Sequence, residues 1–187
     1  MYNRYAGAPI LLEKVEAAVG IHQNNEKVLA AARLVAKILE KIIFGSTASD
    51  ALKWARETVT IPPEERAIIS DIDEGCNLPF SVAADRFGLN GQLPGCLKTS
   101  LYGVKIFRGY EVAIRANIVA AGDNVLRSWL IGSFLAAEQG TAAIPKAWCS
   151  QTALYMKIQE LAEVIVNSNA NLDQKIEKGC SLPSLFS

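Results

Sequence analysis

Between Asn25 and Phe44 the chain places Val28, Ala31, Val35, Ile38 and Ile42 at three- and four-residue steps, flanked by Leu34, Leu39 and Ile43. Arg33, Lys37, Glu40 and Lys41 take the remaining face. This is the period of an amphipathic helix; a half-buried strand would alternate apolar and polar residues instead. Gly45 predicts the stop, because glycine accepts the left-handed conformation that ends many helices. Ser46-Thr47 and Ser49-Asp50 then offer N-caps before Ala51, Leu52, Trp54 and Ala55. Ile61-Pro62-Pro63 breaks that helix, since a residue before proline avoids the helical region and proline lacks an N–H donor.

The same period predicts helices over about 64–74, 80–87, 95–104, 110–121, 124–139 and 152–167, with turns or caps at Gly75, 77–79, 88–94 and 140–145. Alternating β-branched stretches are missing, so the expected fold class is all-α. No linker divides the chain, and there is no internal repeat. The reading is one helical domain over 1–170 and a tail over 171–187, where the periodicity fades.

Composition narrows the function. Lys+Arg 19 balances Asp+Glu 19, which excludes a nucleic-acid binder driven by a strong basic field. Half the residues are hydrophobic (50%) and 20% are charged, which excludes a mainly disordered chain. The single histidine, His22, excludes a multi-histidine metal site, and four cysteines without a CxxC pair suggest neither a zinc cage nor a disulfide scaffold. Met1 is not followed by a basic start and an apolar run, as in a signal peptide. The longest uncharged apolar stretch, between Arg127 and Glu138, falls short of the ~20 residues of a membrane helix. The expected setting is cytoplasmic, with no nucleic acid and no membrane as partner.

Two stretches carry a resemblance. Gly122-Asp123-Asn124 is followed by Arg127, Ile131-Gly132 and Ala136, then by Gly140, Ala143-Ile144-Pro145 and Trp148. This order is similar to the C-terminal signature of the ADP-ribosylglycohydrolase superfamily, in which a Gly-Gly-Asp-x-Asp-Thr/Ser segment opens a long helix and a Gly…Ile-Pro…Trp turn closes it. Upstream, Tyr5-Ala6-Gly7, the 12–16 run Leu-Glu-Lys-Val-Glu and His22-Gln23-Asn24-Asn25 resemble the J1-crystallin and selenoprotein J branch. Phe87-Gly88 and Leu93-Pro94 fit the connecting segment. The resemblance covers about residues 2–166. It implies an ADP-ribosylglycohydrolase-like orthogonal helical bundle, truncated to its C-terminal half, with the acidic N-terminal cluster of the family lying outside this chain.

It also implies a reaction, the magnesium-dependent hydrolysis of ADP-ribosyl glycosidic bonds, and makes ADP-ribose or a related nucleotide a candidate partner. Magnesium needs several oxygen ligands in near-octahedral geometry. Asp123 matches the first carboxylate of the signature. Val125 stands where the second carboxylate (cysteine in the J1-crystallin-like branch) belongs, and Leu126 replaces the hydroxyl residue. Neither has a lone pair to offer, so no catalytic residue is assigned. The expectation is that this chain alone binds no magnesium and is inactive.

Asp123 has two readings, a helix N-cap or a remnant metal contact. His22 and Asn24 match family positions near the bound ribose and are the candidate substrate-binding residues. His22 also reads as an exposed turn residue, and Asn24 or Asn25 as the N-cap of the next helix. Arg127 and Arg115 read as pyrophosphate ligands, or as members of an interhelical ion pair or a solvated face. Trp129 and Phe134 read as core, Trp148 as a plug at the end of the bundle, and Gly132 with Ala136 as room for a neighbouring helix. A half-domain is further expected to expose an apolar surface that draws a complementary N-terminal half or drives self-association. A structural or interaction module with no substrate is the alternative function.

Overall fold

The structure is a computed structural model that describes residues 10–58, 62–74 and 77–177. Among the described residues it is helical throughout, with no strand. In chain order the helices are α1 (Leu11–Gly20), α2 (Glu26–Ile43), α3 (Ala48–Glu57), α4 (Pro63–Glu74), α5 (Phe80–Phe87), α6 (Gly95–Ile106), α7 (Tyr110–Val119) and α8 (Asn124–Gln139). A 3-10 turn at Thr141–Ala143 leads to the short α9 (Lys146–Gln151) and the long α10 (Tyr155–Glu177).

The helix starts follow local hydrogen bonding. Asn25, extended, accepts from the Lys27 N–H at 2.9 Å and caps α2. Of the candidates before α3, Thr47 is the cap: its hydroxyl oxygen accepts from the Asp50 N–H at 3.1 Å. Gly45 ends the α2 turn at φ +96°, where a side chain would be strained. The Pro62-Pro63 break holds, because α4 opens at Pro63, the position where a missing N–H costs nothing. The last helix departs from expectation. A six-residue α9 precedes it, and α10 starts at Tyr155 and continues past Asn167 to Glu177. Of the expected tail, residues 178–187 lie outside the described residues, as do Tyr5, Ala6, Gly7, Ile61, Cys76 and Cys180.

The centre of the core is α6. Cys96, Leu97, Thr99, Ser100, Leu101, Tyr102, Gly103 and Val104 are all buried, so this helix is enclosed on every side. Its polar groups are satisfied within the fold: Ser100 Oγ donates to the Cys96 carbonyl at 2.8 Å, and the Tyr102 hydroxyl to that of Leu78 at 2.7 Å. Against α6 pack α3, α4, α5 and α8, while Leu34, Ile38 and Ile42 of α2 join the same core from their packing on α3, α4 and α8.

The α1–α2 hairpin is tied to α4 by ion pairs. Glu65, fully buried on α4, accepts from Arg33 Nε and Lys37 Nζ, each at 2.8 Å. Arg33 also reaches Glu16 of α1 at 2.9 Å and Glu26 at 2.6 Å. Hydrogen bonds to Glu26 and then Glu65 raise the Arg33 pKa above its ordinary value, so it stays charged at any working pH. One guanidinium thus sets how α1 and α2 stand against the body.

Trp129 corrects the sequence reading. Phe134 is core at 1% exposure, but Trp129 on the same helix is 64% exposed, because α8 buries only one side against α6 and α7. Trp148 lies half-buried against the core, its ring 6.2 Å from Tyr110 and 5.4 Å from the Arg115 guanidinium. Gly132 faces the Tyr110 phenol, whose hydroxyl oxygen would lie 3.2 Å from an added Cβ.

Candidate functional site

The signature segment forms a tight corner between α7 and α8. Gly122 adopts φ +69°, and a Cβ there would collide with the Leu89 carbonyl, so glycine serves both conformation and close approach. The Asp123 N–H donates to Leu89 O at 2.7 Å, which pins the 88–94 loop to the corner. The Asp123 carboxylate accepts from the Leu126 N–H at 3.3 Å, an N-cap for α8. Its other oxygen faces Gly91, where a Cβ would collide with it. Asp123→Ala is therefore expected to destabilise the chain by ~1 kcal/mol. For a domain of this size that lowers Tm by about 2–4 °C. Calorimetric melting checks this, and an unchanged Tm would remove the capping role.

Arg127 sits beneath this corner, fully buried. Its Nε donates to Asn117 Oδ1 at 2.7 Å, one terminal nitrogen donates to Leu89 O at 3.0 Å, and the other donates to the Ala121 carbonyl. All three sequence readings of Arg127 need correction, since its partners are one amide oxygen and two carbonyls with no carboxylate among them. Its guanidinium is neither solvated nor available to a pyrophosphate; it is spent on one side chain and two carbonyls brought together by the corner. Burial pushes its pKa down, and the neighbouring Cys96 and Asp123 offset part of that effect. Asn117 of α7, also fully buried, completes the set by donating to Asn124 O and Ser128 Oγ, each at 2.8 Å. Arg115 pairs instead with Glu111 one turn back, at 2.7 Å.

This corner does not fit a magnesium centre. Of the two signature positions after Asp123, Val125 is 78% exposed and Leu126 is 37% exposed, and both are hydrocarbon. Among the described residues no group of three or more His, Cys, Asp or Glu converges. The carbonyls of Leu89 and Ala121 are taken by Arg127. A divalent ion needs several oxygens at once.

Beside the corner runs a groove of about 1070 Å³ between the α1–α2 hairpin and the α6–α8 wall. Gly91, in contact with Asp123, and Leu126 form part of its lining, so the Asp123 carboxylate borders the groove. His22 lines it from the α1–α2 turn and is exposed. Asn24 lies exposed in that turn, outside the lining, whereas Asn25 lines the groove while capping α2. The lining is otherwise mostly apolar, with Val28, Val35, Leu97, Trp129 and Phe134 among its members and Lys14 and Lys27 as its cations. Sequence reasoning singled out His22 but gave no sign of the groove, whose walls come together only in the fold from α1, α2, α6 and α8. Cys96, at its base, is a buried thiol whose pKa burial pushes up, which keeps it protonated and unreactive.

The comparisons with known proteins agree with the signature. The family model of the ADP-ribosylglycohydrolases matches residues 3–175. Crystallin J1A of Tripedalia cystophora is 28% identical over 165 residues, covering 85% of this chain and 49% of the crystallin. Crystallin J1B of the same organism is 26% identical over 172 residues, covering 87% and 50%. The chain thus spans about half the length of the curated relatives it matches. No solved structure matches it significantly.

Proposed function

The chain belongs to the ADP-ribosylglycohydrolase family, in its J1-crystallin-like branch, and from that premise we propose that it is a member whose catalysis is lost or depends on groups outside this chain. The observation that carries this reading is the use made of the signature. Asp123 caps α8, Val125 points into solvent, and Arg127 consumes the surrounding carbonyls. A hydrolase of this kind must place a water and the anomeric carbon by several fixed charges, and one capping carboxylate does not do that. The missing oxygen ligands would come from a further segment meeting the corner, a complementary half in the same chain or in another.

The binding reading assigns ADP-ribose to the edge where His22, the α1–α2 turn and the Asp123 corner border one groove. The apolar lining favours the second reading, a structural or interaction module without substrate. That role also suits relatives named as crystallins. Among the described residues no helix is long and apolar enough to cross a membrane. Titration calorimetry with ADP-ribose, with and without magnesium, separates the two. Saturable heat that falls in His22→Ala supports binding, and its absence leaves the structural reading.

Restoring the signature alone is expected to fail. The double variant Val125→Asp, Leu126→Thr should show no magnesium-dependent release of ADP-ribose from a linked substrate, because the corner still lacks ligands from a second direction. A rate above the parent at saturating magnesium would contradict this.

A further inference from the structure

The chain carries both a solitary amphipathic helix and a trough of matching length. From Tyr155 onward α10 makes no substantial contact with any other helix among the described residues. Met156, Ile158, Leu161, Val164, Ile165 and Val166 are each between 49% and 75% exposed. Ile158, Leu161 and Ile165, with Ala162, recur at three- and four-residue steps and form one apolar stripe. Glu160 and Glu163 occupy the opposite face, bonded to Lys157 at 3.0 Å and Gln159 at 3.2 Å. A single helix gains most of its stability from packing such a stripe, and among the described residues no other helix covers it.

The groove is the complementary surface. Its lining on α2 runs from Lys27 to Leu39, about 18 Å of helix at the usual rise. The apolar stretch of α10 from Tyr155 to Val166 is about 16 Å long by the same measure. The groove volume, about 1070 Å³, lies at the upper limit for small-molecule pockets, ~300–1,000 Å³. Its walls hold Trp129 and Leu126 exposed on one side and the hairpin on the other. Apolar side chains at i, i+3 and i+4 entering such a trough is a recurring mode of helix recognition.

We infer that α10 of one copy lies in the groove of a second copy, which returns its own α10 to the first, giving a two-fold dimer. A reciprocal exchange of this kind closes on itself, and its partner is always present in equal amount. Burying roughly 100 Å² from each of Ile158, Leu161 and Ile165 removes about 600 Å² from water over the two helices, and a comparable area of groove brings the total to about 1,200 Å², the lower end of stable interfaces. This inference does not rest on the hydrolase reading.

Sedimentation equilibrium over a concentration series tests it in the full chain. The parent is expected to be a dimer. A helix variant, Leu161→Glu with Ile165→Glu, and a groove variant, Leu126→Glu with Trp129→Glu, should each weaken the dimer at least tenfold while keeping the helical circular dichroism of the parent. The milder Leu161→Gln with Ile165→Gln should weaken it less and guards against loss of fold. Mixed in equal amounts, the helix and groove variants retain one intact helix–groove pair, and a heterodimer should reappear. A monomeric parent would overturn the inference, whether α10 then folds back on its own groove or the groove serves a different polypeptide. So would a dimer that survives either variant, or variants that fail to recover on mixing.

Discussion

Glu65→Ala should unfold the chain at a markedly lower temperature than the parent, with a loss of about 3 kcal/mol. Glu65 has no solvent exposure and holds Arg33 and Lys37 at 2.8 Å each, while those two side chains are 16% and 15% exposed. Removing the carboxylate leaves two largely desolvated cations facing each other. Breaking a buried pair from one side costs about 3–5 kcal/mol. The lower end is expected here, because Arg33 keeps Glu16 and Glu26. At ~2–4 °C per kcal/mol the melting temperature should fall by about 6–12 °C. Glu65→Gln, which keeps a hydrogen-bond acceptor, should lose less. A change under ~1 kcal/mol would mean that the hairpin is held by apolar packing alone.

Arg127→Met should be equally costly, about 3–5 kcal/mol, although no carboxylate pairs with this arginine at hydrogen-bond distance. The substitution leaves Asn117 Oδ1 and the carbonyls of Leu89 and Ala121 without their donor in a buried corner. Arg127→Lys should rescue little. A point ammonium on a flexible stem cannot address three acceptors set around a planar fork. The 88–94 loop, tied to Arg127 through Leu89, should become the first protease-sensitive site in Arg127→Met. Denaturant unfolding and limited proteolysis check both expectations, and stability equal to the parent in Arg127→Lys would refute the forked arrangement.

These two residues also mark what a sequence reading reaches. Helix periods and turn residues locate α5 and α8 to the residue, Phe80–Phe87 and Asn124–Gln139, because those spans have caps or proline and glycine at both ends. The family is legible in the corner motif, whose glycine and aspartate have local structural reasons. Burial of Arg127 is not legible, since its acceptors come from Leu89, Asn117 and Ala121, which only the folded corner assembles. Trp129 illustrates the same limit. An aromatic on an almost uncharged helix reads as core, but whether its face meets α6 or the open groove depends on the hairpin angle. The enclosure of α6 was likewise hidden, because Thr99, Ser100 and Lys98 give it the look of a surface helix.

We propose that the signature aspartate here builds a helix start and not a catalytic centre. The most direct test is release of ADP-ribose from arginine-, serine- and O-acetyl-linked substrates by the purified chain at saturating magnesium. No release above the uncatalysed rate is expected, with Asp123→Ala indistinguishable from the parent in this assay and altered only in stability. Magnesium-dependent turnover by the parent that vanishes in Asp123→Ala would contradict this.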